Sequence, residues 1–232
     1  MKRYSNILAL DTALSGCSTV AVIGERVASR VGAMSRGQAE HLVPFVEEVL
    51  EELNADYDQL EAIVCVVGPG AFTGLRIGLS TARGFALSLG LPIIGVSSLQ
   101  ALALDYVAKV SPNCGFTVVL ETKRQDFYAQ SFDAQGMPVD EARAVHGDVL
   151  ADSLTSDAVL IGDGAARVME QIGVGQNWSY VAGYDLTDLS VVCRCLQNGE
   201  HTQVFIEDPE PIYLRDADVS APKNKPRRLK PV

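Results

Sequence analysis

Residues 62–78 read AIVCVVGPGAFTGLRIG, and this stretch decides the fold because it joins a strand to a helix. Six consecutive apolar residues at 62–67, closed by Gly-Pro-Gly, are typical of a strand that is buried on both faces. Gly68 and Gly70 tolerate the positive φ values of a sharp turn, and we expect Thr73 to cap the helix that follows. The stretch therefore predicts an α/β protein in which a helix begins directly after a buried strand.

The predicted helix at 73–90 has an apolar face and a second face of small residues. The small residues recur every fourth position, at Gly74, Gly78, Ala82 and Ala86. Because an interior glycine costs about 1 kcal/mol relative to alanine, close packing is the natural compensation. We therefore predict that this helix contributes to a partner interface through Gly74, Leu75, Gly78, Leu79 and Ala82. The alternative is that both faces pack against the protein's own sheet.

A second amphipathic helix is predicted at 37–53, where Ser35 and Gln38 match a capping box. Pro44 lies inside the pattern, so the helix either starts just before it or bends there. The apolar stripe of this helix suits a compact helical interface. The predicted interface residues here are Leu42, Phe45, Val46 and Val49.

Length and composition favour a globular protein of the cytoplasm. The chain has 232 residues, of which 47% are hydrophobic, enough for one large core or two smaller ones. No apolar run approaches the roughly 20 residues that cross a bilayer, and the N-terminus lacks the apolar segment of a signal peptide. The five cysteines are an odd number and most lie in apolar runs, which favours buried free thiols over disulfides or a metal site.

Charge is distributed unevenly along the chain. The net charge is −10, yet residues 217–232 contain five Lys or Arg side chains and one Asp. The body of the protein is therefore more acidic than the net charge indicates, and most of its surface should repel nucleic acid. The Pro-rich basic tail is predicted to be disordered, either simply solvated or acting as an arm that touches RNA or a partner.

The predicted elements follow the same order twice. Three strands that look antiparallel precede alternating helices and strands, first at 6–109 and again, more faintly, at 115–198. This is the element order of two tandem ribonuclease-H-like units, as in the actin/Hsp70/sugar-kinase superfamily (ASKHA). A single doubly wound domain is the competing architecture, and the repeated opening of three strands argues against it. We expect subdomains at 1–105 and 106–216, with the last segment possibly packing back on the first, followed by the tail.

Two turns at matching places of this repeat are candidates for holding nucleotide phosphates. The first follows the first strand at 11–16, and the second is Gly-Asp-Gly at 162–164. Backbone N–H groups in such turns form anion-binding nests, and a helix start beside the second turn would add its dipole. The candidate nucleotide-binding residues are Asp11, Thr12, Gly162, Asp163 and Gly164.

The run from Gly68 to Ala103 closely resembles the TsaB (YeaZ) family, and weaker matches extend along nearly the whole chain. These matches lie at 7–12, 40–44, 127–129, 162–164 and 211–215. The resemblance implies a partner subunit in the synthesis of threonylcarbamoyladenosine. This modified nucleoside lies 3′ of the anticodon in tRNAs that read codons beginning with A.

The same resemblance argues against catalysis by this chain. The related catalytic subunit, TsaD, carries a His-x-x-x-His metal motif whose two places here hold Ser98 and Leu102. A hydroxyl and a leucine side chain cannot replace two imidazole ligands of a transition metal. The three histidines of the chain, His41, His146 and His201, are not spaced in sequence as the ligands of one metal ion would be. We therefore expect no catalytic residue, no metal site and no required cofactor.

The resemblance also implies the partners. Helices 38–53 and 73–90 would pack against a TsaD-like catalytic subunit, or against a second copy of the chain when that subunit is absent. A TsaE-like ATPase and tRNA would be reached only through the complex, with ATP or ADP possibly bound at the complex interface, and no membrane is involved. The alternative is a phosphotransferase or ATPase of the sugar-kinase type, but the chain offers no identifiable acid–base residue for it.

Overall fold

The computed structural model describes residues 2–215, and the predicted basic tail at 217–232 lies outside the described residues. The first part of the chain forms five strands and three helices in the predicted order. They are β1 (Asn6–Asp11), β2 (Gly16–Ile23), β3 (Arg26–Ala33), α1 (Gln38–Glu52), β4 (Ala62–Val66), α2 (Phe72–Leu89), β5 (Ile93–Val96) and α3 (Ser98–Val110).

The second part repeats this order with shorter elements. They are β6 (Phe116–Glu121), β7 (Asp126–Phe132), β8 (Arg143–His146), α4 (Gly147–Ser153), β9 (Val159–Ile161), α5 (Ala165–Ile172), β10 (Ser179–Val181), α6 (Leu189–Asn198) and β11 (Ile206–Glu207). Two single-turn 3₁₀ segments, Tyr57–Gln59 and Thr202–Val204, complete the regular structure of the described residues.

Two sheets with the same strand arrangement confirm the predicted fold class. The first sheet has the order β11-β5-β4-β1-β2-β3, and the second has the order β10-β9-β6-β7-β8. In each sheet the first strand has two antiparallel strands on one side and two parallel strands on the other. The first sheet has one further strand, β11, which is antiparallel at its edge. The chain therefore consists of two tandem ribonuclease-H-like units rather than one doubly wound sheet.

Helix α3 is the element shared by the two cores. Its residues from Ser98 to Tyr106 are all buried. Leu104 packs with the core of the first sheet, whereas Leu99 and Leu102 pack with the core of the second. A helix that is apolar on all sides needs such a buried position. Helices α1 and α2 cover the opposite face of the first sheet, where a separate apolar cluster forms.

The last described elements return to the first sheet. β11 pairs antiparallel with β5, and α6 contributes Val192 and Leu196 to the core that α3 shares with β1 and β2. Among residues 2–215, no helix is both long and apolar enough to span a membrane. Four of the five cysteines are buried free thiols, as predicted, and Cys114 is exposed.

Several local predictions are wrong. Thr73 does not cap α2, because the helix begins one residue earlier and Ala71 occupies the N-cap position with no side-chain hydrogen bond. The capping box at Ser35 does not form, and Gly37 with φ 94° begins α1 instead. The third strand of the second set, expected at 139–144, is regular only over Arg143–His146. The short strands β10 and β11 were not predicted. Three-residue and two-residue strands carry too little periodicity to be recognised.

Candidate functional site

The groove of small residues on α2 is filled by the end of β1. The Thr12 hydroxyl donates a hydrogen bond of 2.6 Å to the Gly74 carbonyl oxygen. A Cβ atom on Gly74 would overlap the Thr12 carbonyl oxygen, and one on Gly78 would lie 2.6 Å from the Thr12 Oγ1. The close approach that the glycines indicated is therefore a contact within the chain, between a helix and its own sheet.

The predicted partner interface is corrected accordingly. Eight of its nine residues are buried in the chain: Leu42, Val46, Val49, Gly74, Leu75, Gly78, Leu79 and Ala82. Only Phe45 is partly exposed, and it too packs against the core beneath α1. The reason is that α1 and α2 each point their apolar stripe at the sheet, which leaves the outward faces for any partner.

The outward faces of α1 and α2 form a surface that we call the α1–α2 surface. Its shallow groove is lined by Ala39, Phe72, Thr73, Arg76, Ile77, Ser80 and Thr81. One turn along α1 from Ala39, Val43 is 40% exposed, and Phe72 at the start of α2 is 44% exposed. The groove combines small side chains with Ile77 and Arg76, and exposed apolar side chains around such a groove suit a protein contact.

The predicted phosphate-binding turns face a cleft between the two sheets, but this cleft is small. It is lined by the first turn at 13–15, by 120–123 and by Asp163, and its volume is about 90 Å³. Pockets for drug-sized ligands are about 300–1,000 Å³. The cleft in this form is therefore too small for a nucleotide.

The polar side chains of the two turns are used within the chain. The Asp11 carboxylate accepts a hydrogen bond of 2.7 Å from the Ala13 N–H, and Asp163 accepts one of 2.8 Å from the Glu121 N–H. Gly162 has φ 100°, and a Cβ atom there would overlap the Val119 carbonyl oxygen. The first turn is closed by a contact within itself and the second is held against the neighbouring strand β6. Nucleotide binding by these residues stays a prediction.

Asp11 is fully buried, and its carboxyl group is expected to make stability depend on pH. Burial raises its pKa from 3.8 to about 6, against the opposing effects of the Ala13 N–H and the Thr187 hydroxyl. The folded state thus holds this proton to higher pH than the unfolded state. The free energy of unfolding therefore falls as pH rises from the unfolded pKa near 4 to the folded pKa of about 6. Below pH 4 the carboxyl group is protonated in both states, so this loss of stability is absent.

Replacing Asp11 by asparagine should remove this loss of stability while retaining an acceptor for the Ala13 N–H. Relative to the parent chain, Asp11→Asn should gain stability as pH rises from about 4 to about 7, by an amount on the order of 2–3 kcal/mol. Urea unfolding of both proteins across this pH range measures the difference. A constant difference between them at every pH would show that Asp11 titrates normally.

A larger cavity lies beside the small cleft, and sequence reasoning missed it. We call it the arginine cavity: it has a volume of about 600 Å³ and is lined by Gly70, Ala71, Phe72, Arg76, Thr122, Arg124, Tyr128, Ile212, Tyr213 and Arg215. The residues come from the start of α2, the β6–β7 turn and the last described segment. The match at 211–215 was the available signal, but nothing in the sequence placed that segment beside α2.

Aromatic and cationic side chains in the arginine cavity contact one another. The Arg76 guanidinium stacks 3.8 Å from the centre of the Phe72 ring and donates a hydrogen bond of 3.3 Å to the Tyr213 hydroxyl. Arg215 forms an ion pair of 3.0 Å with Asp126, whose second contact is the Thr122 hydroxyl. No carboxylate pairs with Arg76 among residues 2–215, so its positive charge is uncompensated there.

The two positions that the sequence resemblance matched to a metal motif lie on α3, where its residues are buried. Ser98 and Leu102 are both fully buried, and Leu102 packs with Leu99 in the core of the second sheet. Within the described range 2–215, no group of three or more His, Cys, Asp and Glu side chains is arranged to hold a metal ion.

Comparison with known proteins matches residues 22–217 to the family model of TsaD, described as tRNA N6-adenosine threonylcarbamoyltransferase. The chain is 28% identical to the tRNA threonylcarbamoyladenosine biosynthesis protein TsaB of Escherichia coli (strain K12), over 90% of this chain and 94% of that protein.

Two solved structures from Pseudomonas aeruginosa resemble the whole fold. A protein described as similar to peptidase YeaZ has a TM-score of 0.76 at 26% identity, covering 91% of this chain and all of that one. YeaZ itself has a TM-score of 0.72 at 25% identity, covering 90% of this chain and all of that one.

Proposed function

Because the chain belongs to the TsaD family, in which its full-length similarity is to TsaB (YeaZ) of tRNA threonylcarbamoyladenosine biosynthesis, we propose that it is a non-catalytic activating subunit. It would act by docking to a TsaD-like catalytic subunit that transfers the threonylcarbamoyl group. The substrates would be tRNAs that read codons beginning with A, modified at the adenosine 3′ of the anticodon.

The observation that carries the non-catalytic role is the pair at positions 98 and 102. Ser98 and Leu102 occupy the places of the metal-binding histidines, and both side chains face the interior of the chain. Histidines at these two positions could reach a metal ion in a site open to substrate only if α3 turned its buried face outward. A chain that keeps the fold but packs this face into its core is suited to structural support rather than to metal-assisted group transfer.

The α1–α2 surface is the contact that we propose for the catalytic subunit. It is supported by two exposed apolar side chains, Val43 and Phe72, around a groove that no described residue covers. When the catalytic subunit is absent, two copies of the chain would pair through the same surface. An isologous pair of this kind needs only one self-complementary patch.

We further propose that a TsaE-like ATPase joins the assembled complex and that ATP or ADP, where it binds, does so at the complex interface. The small volume of the cleft between the sheets supports placing the nucleotide outside it. The same small volume gives no support to the alternative of a sugar-kinase-type phosphotransferase, which would need its phosphates in that cleft.

The test uses the purified full chain and its TsaD-like subunit. Alone, the chain should bind neither zinc nor iron in stoichiometric amounts and should form no threonylcarbamoyladenosine on tRNA. The two subunits should co-purify, and the catalytic subunit should need this chain for full activity. Mass spectrometry of digested tRNA and elemental analysis measure these outcomes. A stoichiometric metal, or product formed by the chain alone, would overturn the non-catalytic role.

A further inference from the structure

The arginine cavity lies beside the proposed docking surface, and its charge is opposite to that of the chain. Three arginines, Arg76, Arg124 and Arg215, line it, whereas the chain as a whole has a net charge of −10. Arg215 is paired with Asp126, whereas Arg76 has no carboxylate partner among residues 2–215. An anionic ligand at this place would supply a counter-charge for Arg76.

We propose that the arginine cavity binds the phosphodiester backbone of tRNA, with an unpaired base stacked on its aromatic rim. This inference rests on the proposed function, since it names the surface by which the subunit would touch the substrate of the complex. It is compatible with the expectation that tRNA is reached only through the complex, and it assigns this chain a contact within that complex.

A backbone amide reinforces the arginines at the floor of the cavity. Helix α2 has 18 residues and begins at the cavity wall, where Ala71 provides no side-chain cap. In the described part of the chain, no acceptor pairs with the N–H group of Phe72, a residue that lines the cavity. Free N–H groups and the helix dipole favour an anion such as a phosphate group. Together with the uncompensated charge of Arg76, they select a phosphate rather than a neutral ligand.

The aromatic rim favours a nucleic acid strand over a free inorganic anion. The rings of Phe72 and Tyr213 lie 5.2 Å apart, and both side chains are nearly half exposed. Arg76 joins them by stacking on the Phe72 ring, so that a guanidinium and two rings form one platform. Such platforms bind splayed bases of single-stranded RNA by stacking, which is worth about 1–3 kcal/mol per base.

The position of the cavity suits a substrate that extends to a second subunit. Phe72 and Arg76 line both the arginine cavity and the groove of the α1–α2 surface, so the two sites share a wall. A strand bound in the cavity would therefore lie next to the docked catalytic subunit.

The test measures binding of a fluorescein-labelled anticodon stem-loop, taken from a tRNA that reads a codon beginning with A, to the complex of the full chain with its TsaD-like subunit. Arg76→Gln should reduce the slope of log affinity against log salt by about 1, because one phosphate contact is lost. Tyr213→Ala should weaken binding by about tenfold through the lost stacking. The matched control is Arg194→Gln, which removes the same charge from the exposed face of α6, on the opposite side of the first sheet, and should change neither quantity.

Several other results would contradict the proposal. An unchanged salt slope in Arg76→Gln, or an equal loss in Arg194→Gln, would contradict RNA binding in the cavity. Arg76 also lines the groove of the α1–α2 surface, so an Arg76→Gln chain that fails to co-purify is judged by Tyr213→Ala, because Tyr213 lines the cavity and not that groove. Unchanged stem-loop binding in Tyr213→Ala would contradict stacking in the cavity. Displacement of the stem-loop by free ADP would show a mononucleotide pocket instead. Failure of the proposed function is seen separately, as a wild-type chain that does not stimulate tRNA modification at all.

Discussion

Leucine in place of Gly74 is expected to unfold the isolated chain or to destabilise it by more than about 3 kcal/mol. The side chain would have to enter the space that the Thr12 carbonyl oxygen already occupies. That oxygen belongs to the backbone at the end of the central strand β1, so it cannot move without disturbing the sheet. Gly78→Leu should act in the same direction but less strongly, because the Thr12 hydroxyl that it meets is a side chain.

The matched control for Gly74→Leu is Gly84→Leu on the same helix. Gly84 is exposed and has no atom within 4 Å of an added Cβ, so leucine there should stabilise the helix by roughly 1 kcal/mol through its better propensity. Circular dichroism melting of the three proteins gives the comparison. If the Gly74→Leu chain melts like the parent but no longer binds its partner, the small-residue face of α2 belongs to the partner interface and not to the core.

Charges on the α1–α2 surface are expected to abolish association without unfolding the chain. In the variant Val43→Glu with Ser80→Glu, both new carboxylates would be buried without partners in the complex, which should weaken binding by about two orders of magnitude. Both positions are exposed in the isolated chain, so its melting temperature should stay the same. Calorimetric titration with the TsaD-like subunit measures the affinity.

A matched control for this surface is Val149→Glu on α4. Val149 is 55% exposed and lies beside the second sheet, away from α1 and α2. It should bind the catalytic subunit as the parent chain does. If Val149→Glu weakens binding as much as the double variant, the effect comes from net charge and not from the α1–α2 surface.

The fold was largely predictable because its signals are local. The buried strand at 62–67, the turn at Gly68 and the apolar stripes of α1 and α2 each specify an element within a short window. The repeat of three strands before alternating elements then specified the two-sheet topology. The strands β10 and β11 could not be predicted, because their pairing depends on neighbours far away in the sequence.

The candidate site was less predictable because it depends on which residues contact each face of the helices. The spacing of Gly74 and Gly78 indicates a close approach, but the sequence does not say whether a partner helix or the chain's own Thr12 provides it. The arginine cavity brings Arg76 and Tyr213 together across 137 positions of sequence. No spacing rule links residues so far apart, so only the folded chain reveals the site.

The most direct test of the account is the yield of threonylcarbamoyladenosine on tRNA when the TsaD-like subunit is titrated with this chain. We expect no product from the chain alone and a yield that rises with added wild-type chain until the subunits are equimolar. The double variant Val43→Glu with Ser80→Glu should leave the yield at the level of the catalytic subunit alone, although it is folded. Product formed by the chain alone, no stimulation by the wild-type chain, or equal stimulation by the double variant would contradict a non-catalytic subunit that docks through the α1–α2 surface.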